Sequence, residues 1–168
     1  MVYLMKIYKL VFYFHFMSSL APFVPTPPDV IYRMLKLANV GPDDVVYDLG
    51  CGDGRILIAA VEGFKAKMAV GIEIRDDLVK KALIEVSNKG LEGRIKIINN
   101  DIFNVDISEA TVVTLYLTYS GNARLKPKLE RELRNGVRVV SYTFEIPGWN
   151  PRKIDKYSGW QTIYLYQL

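Results

Sequence analysis

From Pro22 onward, apolar positions follow two rhythms, one three and four residues apart and one of short continuous runs bounded by glycine or proline. Pro22, Pro25, Pro27 and Pro28 make an extended lead-in. Thr26-Pro-Pro-Asp29 has the spacing of a helix start, with threonine as cap, proline in the first turn and aspartate reaching back. Val30, Met34, Leu37 and Ala38 share one helix face, and Gly41-Pro42 ends it. Asp44 to Leu49 reads as a strand running into a glycine cluster, followed by a helix over Arg55 to Glu62 and a strand over Ala69 to Ile74. Asp76 is placed to cap a helix striped by Leu78, Val79, Ala82, Leu83 and Val86 and closed by Lys89-Gly90. Strands follow at Arg94 to Ile98 and Ala110 to Leu117. Leu125, Leu129 and Leu133 stripe a further helix with Pro127 near its first turn, ahead of a strand over Val137 to Phe144. Ile154 to Tyr157 and Thr162 to Tyr166 form a hairpin around Ser158-Gly159.

Strand-helix alternation in units of ~25 residues implies right-handed crossovers and a sheet covered on both faces. The expected fold is α/β: Rossmann-like, doubly wound, with a mostly parallel seven-stranded sheet and one antiparallel strand from the C-terminal hairpin. It forms one domain, residues 22–168, behind an apolar tail, residues 1–21. In that tail, Val2 to Phe16 is apolar and aromatic but carries Lys6, Lys9 and His15. It is too short for a span of about 20 residues, so no stable membrane span is expected. An over-long start ahead of Met17, a membrane-surface helix and a cleaved signal remain open.

Composition narrows the classes. The chain has 168 residues, half of them hydrophobic and 24% charged, which excludes disorder and repetitive fibrous folds. Cys51 is the single cysteine and His15 the single histidine, so neither an internal disulfide nor a metal cluster is expected. A net charge of +4 is too small to argue a specific nucleic-acid partner.

The candidate chemistry lies on the first strand-to-helix turn, Asp48-Leu-Gly50-Cys51-Gly52-Asp53-Gly54. Glycines there let backbone approach a ligand and expose amides at a helix start. The spacing is G-x-G-x-G rather than the G-x-G-x-x-G of dinucleotide sites, and Asp48 and Asp53 would repel a pyrophosphate. The same acids suit a ligand carrying an ammonium and a sulfonium, as S-adenosylmethionine does. Glu73 ends the second strand, where a carboxylate accepts ribose hydroxyls. Asp101 follows the third strand, placed to accept an adenine amino group while Ile102 packs on the ring.

Asp48 to Gly54, Glu73 and Asp101 resemble the class I, seven-strand S-adenosylmethionine-dependent methyltransferases. More narrowly, Val24-Pro-Thr-Pro27, the Asp48-to-Arg55 string, Lys126-Pro-Lys-Leu-Glu130 and Phe144 to Trp149 resemble the archaeal broad-specificity protein lysine methyltransferases. The resemblance implies methyl transfer to lysine amines of protein substrates with loose sequence preference; an RNA or small-molecule methyltransferase of the same fold and a non-catalytic S-adenosylmethionine-binding protein stay open as alternatives. The protein is expected to be cytoplasmic and monomeric. One departure is Tyr142-Thr143, where a more polar pair is expected.

The fourth strand end, Leu115-Tyr116-Leu117-Thr118-Tyr119-Ser120, lacks the Asp/Asn-Pro-Pro-Tyr of enzymes that methylate base amines. Tyr116 and Tyr119 are placed to orient an amine through a hydroxyl or a ring face, with Tyr116 the catalytic candidate. Glu145 is a candidate acceptor for the incoming ammonium and Trp149 a candidate wall of a lysine channel. Thr26 is expected beside the cofactor, with the lead-in folded over it. Cys51 reads as a small residue in a crowded turn.

Overall fold

The computed structural model describes residues 20–159 and 161–168; the sequence readings for the apolar stretch up to Phe16 fall outside them. After the lead-in come α1 (Pro28–Leu37), β1 (Val45–Leu49), α2 (Arg55–Phe64), β2 (Met68–Glu73), α3 (Asp76–Asn88) and β3 (Ile95–Asn99). A 3-10 turn (Ile102–Asn104) leads to β4 (Val112–Leu115), α4 (Tyr119–Glu132), β5 (Arg138–Tyr142), β6 (Lys153–Ser158) and β7 (Gln161–Gln167).

The strands form one sheet in the order β3-β2-β1-β4-β5-β7-β6. β1 to β5 pair in parallel, while β7 is antiparallel to both β5 and β6. The order reverses between β1 and β4, which opens a crevice at their C-terminal ends, where sheets of this class bind ligands. One face of the sheet packs under α1 and α2 through Val30, Met34, Leu35, Leu57 and Ala60. The other packs under α4, where Leu125 and Leu129 meet Val113, Leu115 and Val139.

Several element boundaries differ from the sequence reading, each for a local reason. Thr26 does not cap α1: Pro27 holds that position in extended conformation, with no side-chain cap. The Thr26 side chain is instead buried, and its carbonyl accepts a bond from Arg55 Nη1 at 3.2 Å. α4 starts earlier than its leucine stripe implied, because Thr118 Oγ1 accepts the Gly121 amide at 3.0 Å and nucleates it there. Pro127 therefore lies inside α4, where it removes one hydrogen bond from a helix held by buried Leu125 and Leu129. β5 stops at Tyr142 because Thr143 takes φ +70 in a γ-turn, with the Phe144 amide bonded to the Tyr142 carbonyl at 2.9 Å.

Candidate active site

The glycine turn after β1 is built for close approach. Gly50, Gly52 and Gly54 all have positive φ, at 87°, 55° and 81°. The amides of Gly50 and Cys51 both bond to the Ile72 carbonyl, at 2.9 and 3.1 Å, which folds the turn against the end of β2. Glu73 completes that junction: its carboxylate accepts the Gly52 amide at 3.0 Å and the Arg75 amide at 2.9 Å. Cys51 packs against Gly71, where a Cβ would come within 2.5 Å of its sulfur, and burial pushes its thiol far up, which makes it inert.

The acids differ in their surroundings. Asp48 is 2% exposed and accepts a bond from Thr114 Oγ1 at 2.7 Å. Burial, reinforced by the nearby Glu73 and Asp53 charges, raises its carboxyl to about 7 despite that bond. Such a group is poised to ionise when a cation arrives beside it. Asp53 is in a bidentate pair with Arg55, at 2.9 and 2.6 Å, which holds its carboxyl below the usual range. Asp53 therefore reaches a ligand only as half of an ion pair. Asp101 receives the Phe103 amide at 3.0 Å on Oδ1, capping the 3-10 turn.

A single cavity gathers most of the sequence candidates. Thr26, Asp48, Gly50, Gly52 and Asp53 line it, joined by Glu73, Asp101, Ile102 and Tyr116. Glu145 and Trp149 are not among its walls. Trp149 packs on the α4 face of the sheet, edge-on to Tyr166 at 5.6 Å, and its Nε1 donates to Glu130 at 2.9 Å. Glu145 is exposed, near enough to Tyr166 to help raise that phenol. Tyr116 packs on the α1/α2 face against Tyr142, with ring centroids 4.6 Å apart. The three residues read from the sequence as catalytic are thus divided between the two faces of the sheet.

Other residues at the site escaped the sequence reading. Thr114 is a hydroxyl within the otherwise apolar run of β4, and that exception was its signal. Phe23 lies on the turn so closely that a Cβ on Gly52 would meet its ring at 2.5 Å. The lead-in from Leu20 to Thr26 lines the cavity and is tied at one end by the Leu20 carbonyl, which accepts from Thr118 Oγ1 at 2.9 Å.

The donor set suits S-adenosylmethionine. Asp48 offers a carboxylate for a cationic amino group, and Glu73 and Asp101 keep free lone pairs for hydroxyls and an amino group. When bound, that cofactor supplies an electrophilic methyl group on a sulfonium.

Residues 48–153 match the ANTKMT methyltransferase domain. The chain is 53% identical to a protein-lysine N-methyltransferase of Saccharolobus islandicus (strain REY15A), over 88% of this chain and 93% of that protein. It is 32% identical to the adenine nucleotide translocase lysine N-methyltransferase of Mus musculus, over 77% of this chain and 56% of the mouse protein. Among solved structures it is similar to an RNA methyltransferase from Salinibacter ruber in complex with S-adenosyl-L-homocysteine, with a TM-score of 0.83 and 46% identity over 86% of this chain and 93% of that one. An acid-lined crevice at the switch point is what a methyl-donor site requires, and with these matches the chain belongs to the ANTKMT methyltransferase family of S-adenosylmethionine-dependent enzymes.

Proposed function

We propose that this enzyme methylates lysine side-chain amines of proteins, with loose sequence preference, as a cytoplasmic monomer. Identity of 53% to a protein-lysine N-methyltransferase across 93% of that protein's length carries the reading. The geometry agrees with it. Thr26, Asp48, Glu73 and Asp101 serve the cofactor, and Tyr116 with its partner Tyr142 serves the amine.

Transfer to lysine needs the neutral amine, whereas free lysine has a pKa near 10.4, so at pH 7 roughly one in 2,500 is neutral. That is an obstacle of roughly 4.6 kcal/mol. No histidine lies among the described residues, and the wall at the β4 end is Tyr116 and Leu117. An ammonium entering between aromatic and apolar side chains loses its water, which lowers a lysine pKa by ~3–5 units in the fully buried limit. Tyr116, held by its contact with Tyr142, positions the amine for in-line attack. The proton leaves to solvent, with no dedicated base.

A second reading, methylation of RNA, has one specific support: the 46% identical structure is described as an RNA methyltransferase. A tritiated methyl-transfer assay against mixed proteins and against RNA, with products digested and resolved, separates the two. Methyl-lysine as the labelled product supports the proposal. Label confined to nucleosides refutes it.

A further inference from the structure

Outside the cofactor cavity, the described residues form a second groove between α1 and the edge strand β6. Asp29, Arg33 and Lys36 stand four and three residues apart, on one face of α1. Lys153 and Asp155 alternate along β6 and so share one face of that strand, and Tyr157, at a bulge in it, joins them through its contacts with Asp29 and Arg33. All six line the groove, and they face one another as rungs. At the first rung the Tyr157 hydroxyl donates to Asp29 Oδ2. At the second, Arg33 forks onto Asp155 at 2.9 and 2.5 Å, with its guanidinium 4.8 Å above the Tyr157 ring. The third rung has Lys36 on one wall and Lys153 on the other. No carboxylate of the described residues pairs with either; Lys36 meets only the Tyr32 ring, at 5.7 Å.

The groove begins beside the cofactor cavity. Asp29 follows Thr26, a cavity wall, by one short step of chain, and its charge helps push up the phenol of Tyr142, the residue packed against Tyr116. From the Asp29 rung to the Lys36 rung the helix rises ~10 Å at about 1.5 Å per residue. An extended peptide covers that distance in roughly three residues.

We propose that this groove docks the substrate protein, and that Lys36 and Lys153 receive an acidic side chain about three residues from the lysine to be methylated. The proposal rests on the lysine-transfer reading and gives it a recognition rule. Matched rungs near the cavity leave the backbone of the docked segment free of charge conflict, while the like-charged rung is completed by a carboxylate from outside. The resulting preference is for protein segments of mixed charge; a uniformly basic segment is repelled from the third rung.

The test uses the full chain and single-lysine peptides with Glu or Gln three positions to either side of the lysine. Peptide affinity is read by fluorescence anisotropy in the presence of S-adenosylhomocysteine, and KM and kcat by methyl transfer. For the unaltered enzyme, a Glu peptide should bind about three- to tenfold tighter than its Gln counterpart at low salt, with KM moving and kcat unchanged. The double variant Lys36→Glu/Lys153→Glu should abolish or invert that preference, with S-adenosylmethionine affinity unchanged as the check on folding. Equal KM for Glu and Gln peptides, with transfer still occurring, overturns the docking proposal while leaving the lysine reading intact. No transfer to any peptide at saturation overturns both. Binding of an RNA oligonucleotide that is lost in the double variant, with no peptide preference in the unaltered enzyme, assigns the groove to nucleic acid and refutes the proposal.

Discussion

The two halves of the sheet's C-terminal edge treat charge in opposite ways. Along β1, β2 and β3 the strand ends carry carboxylates: Asp48, Glu73 and, just past β3, Asp101. Asp48 and Glu73 are buried, at 2% and 7% exposure, a costly placement unless something cationic or hydrogen-bonding meets them. Along β4 and β5 the same level of the sheet carries Tyr116 and Tyr142, in contact with their rings tilted by 53°. In the proposed lysine transfer the acidic half meets the positive charge of a sulfonium donor and the tyrosine half takes water from the amine, so the proposed roles divide along the edge as the reaction does.

The sharpest way to break this contrast is at Glu73. It holds the glycine turn through the Gly52 amide and the start of α3 through the Arg75 amide, and its carboxylate is proposed to meet the ligand, so Glu73→Ala should cost affinity and stability together. The expected loss in S-adenosylmethionine affinity is about 3 kcal/mol, and the fold should lose about 1–3 kcal/mol. Calorimetry and thermal unfolding read both.

Asp48→Ala should weaken cofactor binding by about 1.5–3 kcal/mol. Unlike Glu73→Ala, it should not destabilise the unliganded protein at neutral pH. The sign follows from the carboxyl standing at about 7 in the folded state, above its unfolded value of 3.8. Its contribution to stability is therefore full below pH ~4 and fades as pH rises through ~7. A cationic ligand takes the ionised form, so S-adenosylmethionine affinity should rise from pH 6 to pH 8, and that rise should vanish in Asp48→Asn. A flat affinity profile in the unaltered protein would count against Asp48 as the partner of the amino group.

On the tyrosine half the effects of single substitutions are smaller and fall on turnover. With desolvation in place of a base, the rate should climb from pH ~6 to ~9 without a histidine-like step, and His15→Ala should be silent. A bell-shaped profile with a limb near ~6.5 would contradict this. Deleting residues 1–16 should leave transfer intact, whereas deleting 1–28 removes the cavity wall from Leu20 to Thr26 and should abolish it while the sheet still folds. Trp149→Phe should change transfer least of all, because its ring packs on Tyr166 away from the cavity and only the bond to Glu130 is lost.

The same contrast explains what could be read from the chain. Asp48, Glu73 and Asp101 were legible as cavity residues because a carboxylate at the end of a buried strand has few alternatives, and strand ends show as the place where an apolar run meets glycine or asparagine. Thr26 was legible as a cavity residue but not in its backbone role, since a proline on either side of a cap position admits two registers for the helix start. On the other half, spacing does not determine which face of the sheet a side chain reaches once the chain has left the strand. The γ-turn at Thr143 redirects the chain, and Ile146 and Trp149 emerge on the α4 side while Tyr116 and Tyr142 stay on the α1 side and Glu145 is exposed. The tether from Leu20 to Thr118 joins segments far apart in sequence through a backbone carbonyl, which no side-chain pattern reveals.

Dependence of the transfer rate on S-adenosylmethionine concentration, measured side by side for Asp48→Asn and Tyr116→Phe on one protein substrate, tests the division of the edge most directly. Asp48→Asn should raise the cofactor KM at least tenfold, on the order expected for one hydrogen bond to a charged group, with the saturated rate largely retained. Tyr116→Phe should leave the cofactor KM unchanged and reduce the saturated rate by about three- to tenfold. A Tyr116→Phe variant that loses cofactor affinity as Asp48→Asn does, or an Asp48→Asn variant that loses only saturated rate, would contradict that division.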